Sequence, residues 1–156
     1  EALSLAAALA TLNEIELERV PAHLARVGRR LGEGYNALAE ELGLPFTRTI
    51  GYDCRTLVTY DADAGDPLVL KSFVQQELLR RGILWTGFHN VSQSHTDADV
   101  DYTLGAYREV LTLLRDAVRS DCVRESLRGL PVEPVFRRTS QFDTKPMERR
   151  APERVR

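Results

Sequence analysis

The chain of 156 residues has little cysteine, histidine, lysine or aromatic side chain. Its two cysteines, Cys54 and Cys122, lie far apart, in no CxxC pair and near no histidine cluster. That spacing argues against a disulfide framework and a zinc site, and a reducing cytosol fits it. Aromatic residues make up 7% of the sequence, too few for base-stacking platforms. The formal charge of -2 gives no general attraction to nucleic acid or to anionic membranes. No apolar run reaches the length of a membrane-spanning helix. A Gly-rich phosphate loop, an HExxH pair and a Ser-centred elbow are all absent. Two lysines occur, Lys71 and Lys145.

What is present is an ordinary globular composition, 43% hydrophobic and 28% charged, long enough for one domain with a real core. Leu5, Leu9, Leu12 and Ile15 recur at helical spacing among alanines, the strongest helix formers. Pro21 interrupts this pattern at a place where a new helix tolerates proline in its first turn. Leu24, Val27, Leu31, Leu38 and Leu42 then form a second apolar stripe, closed by Gly43 and Pro45. The alternating stretches 46–52 and 55–60 predict two strands, and the turn-rich loop 61–67 follows them. An amphipathic helix is predicted over 67–81, stopped by Gly82, with short strands at 83–85 and 91–94. Thr96 and Asp99 have the spacing of a capping box with Asp in place of Glu, opening a helix to about Arg119. The fold class is therefore α+β: a small, mainly antiparallel sheet with helices on one face, preceded by a long helical segment. The expected divisions are a helical connector over 1–43, an α+β domain over 44–120 and an extended or disordered tail over 121–156. The stretch 137–156 holds seven basic and three acidic residues, a solvated composition.

Few residues suggest chemistry. His23 reads as a surface residue and His95 as a structural member of the turn before Thr96. His89 and Asn90 fall in the polar stretch Thr86-Gly-Phe-His-Asn90 after a buried segment, where functional groups often sit, although a plain turn is the alternative. Arg55 opens a strand, and its fork matches a carboxylate or phosphate; a charged strand end is the alternative. No catalytic, cofactor-binding or metal-ligating residue is assigned. Lys71 has no acidic partner at readable spacing and Lys145 is in the tail, so neither reads as the lysine that a pyridoxal-phosphate (PLP) enzyme links to its cofactor.

Three blocks carry a resemblance. Glu1-Ala-Leu-Ser-Leu-Ala-Ala-Ala-Leu-Ala-Thr-Leu12 and the segment from Val20 to Tyr35 resemble the helices that lead out of the large domain in class III, fold type I aminotransferases. Arg81-Gly-Ile83, followed by Ser92-Gln-Ser-His-Thr-Asp-Ala-Asp-Val-Asp101, resembles the "RGI/V" and "SxxHTxEDID" block of glutamate-1-semialdehyde 2,1-aminomutase-like proteins. The likeness runs to about Arg138, including Pro131-Val-Glu-Pro-Val-Phe136. It implies the C-terminal domain of a cytoplasmic, homodimeric PLP enzyme, with the lysine, the acid facing the pyridine nitrogen and the phosphate turn all before Glu1. The absence of an initiator Met fits a chain that begins inside a larger polypeptide. The domain would close the active site, with His89 and Asn90 lining the pocket of a small amino or keto substrate and Arg55 binding an anionic group. PLP would be held mainly by the preceding part. Gly87-Phe-His-Asn90 carries no acid where aminomutases have a Glu, which fits a related aminotransferase as well. The alternative is a free-standing α+β interaction module that binds a partner through its first helix.

Overall fold

The computed structural model describes residues 1–133. Lys145, the last three residues of the 131–136 block and the basic stretch 137–156 lie outside the described residues. Four helices and three strands follow in the order α1 (Ala2–Leu17), α2 (Val20–Glu41), β1 (Thr47–Tyr52), β2 (Arg55–Tyr60), α3 (Pro67–Leu79), β3 (Phe88–Asn90) and α4 (Asp97–Arg119), with a short 3-10 turn at Ala62–Ala64. The sheet is antiparallel in the order β1-β2-β3. The α+β class read from the sequence holds.

Local chemistry sets the element ends. Arg19 takes a left-handed conformation (φ 49°) between α1 and α2, and Pro21 sits in the first turn of α2, where its missing N–H costs nothing. Asp66 caps α3 by accepting the Leu68 N–H at 2.9 Å. The capping box of α4 is formed: the Asp99 carboxylate accepts the Thr96 N–H at 2.8 Å, and Thr96 Oγ1 accepts the Asp99 N–H at 3.3 Å.

The third strand is not where the sequence suggested. Neither 83–85 nor 91–94 is a strand; the strand is Phe88–Asn90, between them, with Thr56 opposite His89 and Arg55 opposite Asn90. Gly82 (φ 75°) and Gly87 (φ 110°) bend the chain on either side of Trp85. That segment therefore buries its indole (4% exposed) without joining the ladder. Residues 92–95 close a turn, with the His95 N–H donating to Ser92 O.

Helices cover one face of the sheet. Alternation points Thr47, Thr49, Thr56, Val58 and His89 inward, while Arg48, Ile50, Arg55, Leu57 and Asn90 are exposed. Beneath lies a core in which Tyr35, Leu70, Val74, Leu78, Tyr107, Val110, Leu111 and Leu114 are almost fully buried. A smaller cluster of Val27, Leu31 and Val100 joins α2 to α4. Cys122, Val123 and Leu127, beyond α4, pack partly against the main core. Helix α1 buries no residue; Leu3, Leu5, Leu9 and Leu12 are all more than 60% exposed.

Helix α2 crosses the β1–β2 turn at Gly28, where an added Cβ would lie 1.8 Å from the Asp53 carbonyl oxygen. Backbone cannot yield as a side-chain tip does, so α2 and the hairpin would have to separate. Gly28→Ala is expected to lower unfolding free energy by roughly 1–3 kcal/mol. Gly105→Ala, on α4 with open space around the added Cβ, should raise it by roughly 0.5–1 kcal/mol. Urea titrations of the two variants check the contrast.

Candidate functional site

His89 is the centre of the region that the sequence singled out, but not as a loop residue. Strand alternation turns its side chain inward, leaving 8% exposed. Its Nδ1 is 2.7 Å from Thr56 Oγ1 on β2, and its Nε2 is 2.7 Å from Tyr107 Oη on α4. Burial lowers its pKa from 6.5 to about 4, so the ring is neutral near pH 7. A neutral ring has one donor nitrogen and one acceptor nitrogen, so one of the two hydroxyls donates to it and the other accepts. Burial also raises the Tyr107 phenol well above 10, so it too stays uncharged. The result is a neutral, hydrogen-bonded relay from the sheet to α4.

Asn90 and Arg55 lie on the opposite side of the strand from His89. They are cross-strand partners on the outer face of the sheet. The Arg55 guanidinium stacks over Phe88, 5.1 Å from the ring centroid. Among the described residues it forms no ion pair, whereas Arg26 and Arg29 pair with Asp97 and Asp53. Among the described residues, Arg55 is thus a cation held at the sheet surface by an aromatic ring rather than by a carboxylate.

A cavity of about 130 Å³ runs past β3, between α2 and α4. Trp85, His89, Asn90, His95, Asp99, Thr103 and Tyr107 contribute to its wall, together with Val27, Leu31 and Val100. The structure therefore brings His89 and Asn90 to one cavity, while Arg55 is not among its lining residues. His95 accepts hydrogen bonds from Ser92 N (3.0 Å) at Nδ1, and its carbonyl meets His23 Nε2 at 3.0 Å. Trp85, Thr56 and Tyr107 were not singled out from the sequence. Period-two alternation across Phe88, His89 and Asn90 is the one local signal that could have turned His89 inward.

Lys71, the one described lysine, lies on α3 with its side chain close to Gly87, and it does not line the cavity. Among the described residues, no lysine or arginine lines the cavity.

The neutral His89 makes a pH prediction. Its folded pKa is below the unfolded value near 6.5, so the unfolded chain takes up the proton first. The stability is fully present above about pH 6.5 and is lost as pH falls toward about 4, at about 1.4 kcal/mol per pH unit. Chemical denaturation between these limits should show that slope, and His89→Gln should flatten it. An equal slope in the variant would assign the acid sensitivity to other groups.

No family model matches the sequence. Among curated proteins, the chain is 34% identical over 128 aligned residues to a glutamate-1-semialdehyde 2,1-aminomutase of Desulfitobacterium hafniense, covering 72% of this chain and 29% of the relative. It is 31% identical over 108 residues to a 3-aminobutyryl-CoA aminotransferase of Cloacimonas acidaminovorans, covering 67% of this chain and 26% of the relative. The chain thus spans less than a third of the length of these relatives. Among solved structures, it resembles an omega-transaminase from Sphaerobacter thermophilus with a TM-score of 0.53 and 21% identity, over 59% of this chain and 24% of that one. A transaminase with PLP bound gives 0.52 and 18%, over 62% and 24%. At those identities the structural likeness speaks for the fold alone, and it agrees with the sequence relatives. The chain belongs to the class III PLP-dependent aminotransferase family, of which it represents a part.

Proposed function

We propose that this chain is the C-terminal domain of a PLP-dependent aminotransferase or aminomutase, a cytoplasmic homodimer in which it closes the active site and contributes to substrate binding and dimer contacts. The observation that carries this reading is the match of most of the chain to less than a third of two enzymes that move amino groups. Helix α1 supports it. Six apolar side chains on a 16-residue helix stand 37% to 78% exposed. A helix with so much open apolar surface is built to be covered, and each Leu or Ile fully buried contributes about 1.5–3 kcal/mol. A large domain preceding Glu1 is the covering surface in this reading.

PLP supplies the electron sink for moving an amino group, and the protein supplies binding and orientation. Here the cofactor is held by the preceding part, and this chain shapes the substrate side. Asn90 offers a side-chain amide at the rim of the cavity. Arg55, stacked on Phe88, takes an anionic group of a small amino or keto substrate. His89 forms part of the cavity wall and holds β3 against α4 through Thr56 and Tyr107.

Two measurements test the reading. The chain alone, mixed with PLP and borohydride, should show no adduct on Lys71 or Lys145 by mass spectrometry. Co-expressed with the polypeptide encoded immediately before it, it should join a dimer that retains PLP. A stable adduct on the chain alone would overturn the division of roles. An upstream frame with no PLP-binding region would favour the interaction module, whose partner α1 would then recruit.

In the chain alone, Arg55→Ala and Asn90→Ala should leave the melting temperature nearly unchanged, since both side chains are exposed there; their kinetic effect is read in the complete enzyme. Losing a hydrogen bond to a charged group is worth roughly 1.5–3 kcal/mol, so Arg55→Ala should raise KM by about tenfold or more. Steady-state kinetics with KM unmoved in both variants would remove these residues from the substrate side.

A further inference from the structure

The cavity beside β3 has a chemical character that its position alone does not require. Among the described residues its lining contains no lysine or arginine, and one acid, Asp99, which is occupied in capping α4, with Oδ2 accepting from both Thr96 N and Thr96 Oγ1. His89 is neutral and already bonded at both ring nitrogens. Most of the remaining wall is apolar, with Val27, Leu31 and Val100 on one side and Trp85 on another. An anion entering here would lose its water and meet no cation.

The cavity nevertheless has unused polar groups beside it, those of the free edge of β3. Trp85 contributes its ring to the wall, while its indole N–H, which has no acceptor among the described residues, is closed to solvent and offers no donor to the cavity. Val58 N–H donates to Gly87 O, and Val91 N–H donates to Cys54 O. With that register, residues 87, 89 and 91 turn their main-chain groups toward β2, and those of Phe88 and Asn90 point to the open edge. No hydrogen bond joins them to a described residue outside the sheet. Phe88, His89 and Asn90 all line the cavity, so it follows this edge. The Asn90 side-chain amide is likewise without a partner among the described residues.

We infer that this cavity is a binding site for a small neutral ligand group with an apolar body and a carbonyl or carboxamide head, the head hydrogen-bonding to the edge of β3 and the body lying among Val27, Leu31, Val100 and Trp85. The size suits it: an apolar cavity of about 150 Å³ takes a benzene-sized molecule. The inference rests on the reading above only in calling this group part of the substrate. In that case the portion of the substrate entering this cavity is uncharged, and any carboxylate it carries is met elsewhere, as at Arg55.

The test uses three probes of nearly the same shape: butyramide, butyrate and butylamine at millimolar concentration, each added to the 156-residue chain. The chain has a single tryptophan, so its indole N–H proton resonance reports the cavity without ambiguity. Butyramide should move that resonance and the Phe88 and Asn90 amide resonances in a saturable way. Butyrate and butylamine, as ions, should bind roughly tenfold or more weakly. Thr103→Leu, which narrows the cavity from α4, should abolish the response. If that variant does not fold, the three-probe comparison on the unaltered chain still decides. Equal or tighter binding of either ion, or no saturable shift with butyramide, would overturn the inference. Butyramide binding together with failed PLP reconstitution would leave the site standing and remove the enzyme reading. The reverse pair of results would remove the site alone.

Discussion

The buried phenol of Tyr107 is the contact on which the rest of the structure depends. It projects from the middle of α4 and is completely shielded from solvent. Tyr35 of α2 meets its ring edge-on at 4.9 Å, Trp85 lies at 6.5 Å in a similar geometry, and its hydroxyl bonds to His89 of β3. One side chain thus fixes the positions of α2, the segment after α3, the edge strand and α4. Such aromatic pairs contribute about 0.5–1.5 kcal/mol beyond their area, and the hydroxyl adds direction that apolar contact lacks. The three-residue strand β3 could not be stable on its own ladder. It is held from below, through His89, by a helix that begins seven residues later.

That dependence explains what the sequence disclosed and what it concealed. Elements governed by local chemistry were legible: the Ala-rich α1, the stripe of α2, the paired strands β1 and β2, and the capping box at Thr96 and Asp99. Each rests on residues within a turn or two of one another. The third strand was misplaced because its cause is not local. Ile83, Leu84 and Trp85 have the apolar character of a buried strand, yet Trp85 is buried against Tyr107, 22 positions later, and needs no ladder. His89 looked like a loop residue because Gly87 and Asn90 flank it. Thr56 and Tyr107, which make it a core histidine, lie 33 and 18 residues away.

The candidate site shows the same division. His89, Asn90 and Arg55 were all identifiable as residue types suited to binding. Only the pairing of β2 with β3 shows that Arg55 and Asn90 face one way and His89 the other. Arg55 owes its accessibility to a ring contact with Phe88 rather than to an ion pair, and no spacing rule discloses that. The orphaned indole nitrogen of Trp85 is likewise a tertiary fact, invisible without knowing what packs around it.

Finished and unfinished surfaces then separate cleanly in this molecule. From α2 to α4 the inner layer is closed: the large apolar side chains are buried, and Glu77, a buried acid, is met by Arg80 and Arg81. Among the described residues, two surfaces gather several exposed apolar side chains each. One is α1, which contributes no buried residue. The other is the outer face of the sheet, where Ile50, Tyr52 and Leu57 are 45%, 83% and 46% exposed. Scattered apolar exposure is ordinary, but apolar residues gathered on one helix and one sheet face mark surfaces made for contact. Arg55 and Asn90 stand on that sheet face, and the cavity lies beside β3, the strand at its edge. Under the proposed reading, the groups assigned to the substrate therefore lie where the domain would meet the rest of its enzyme. A substrate bound there would be enclosed by docking, and desolvation would strengthen the Arg55 contact when the two parts close.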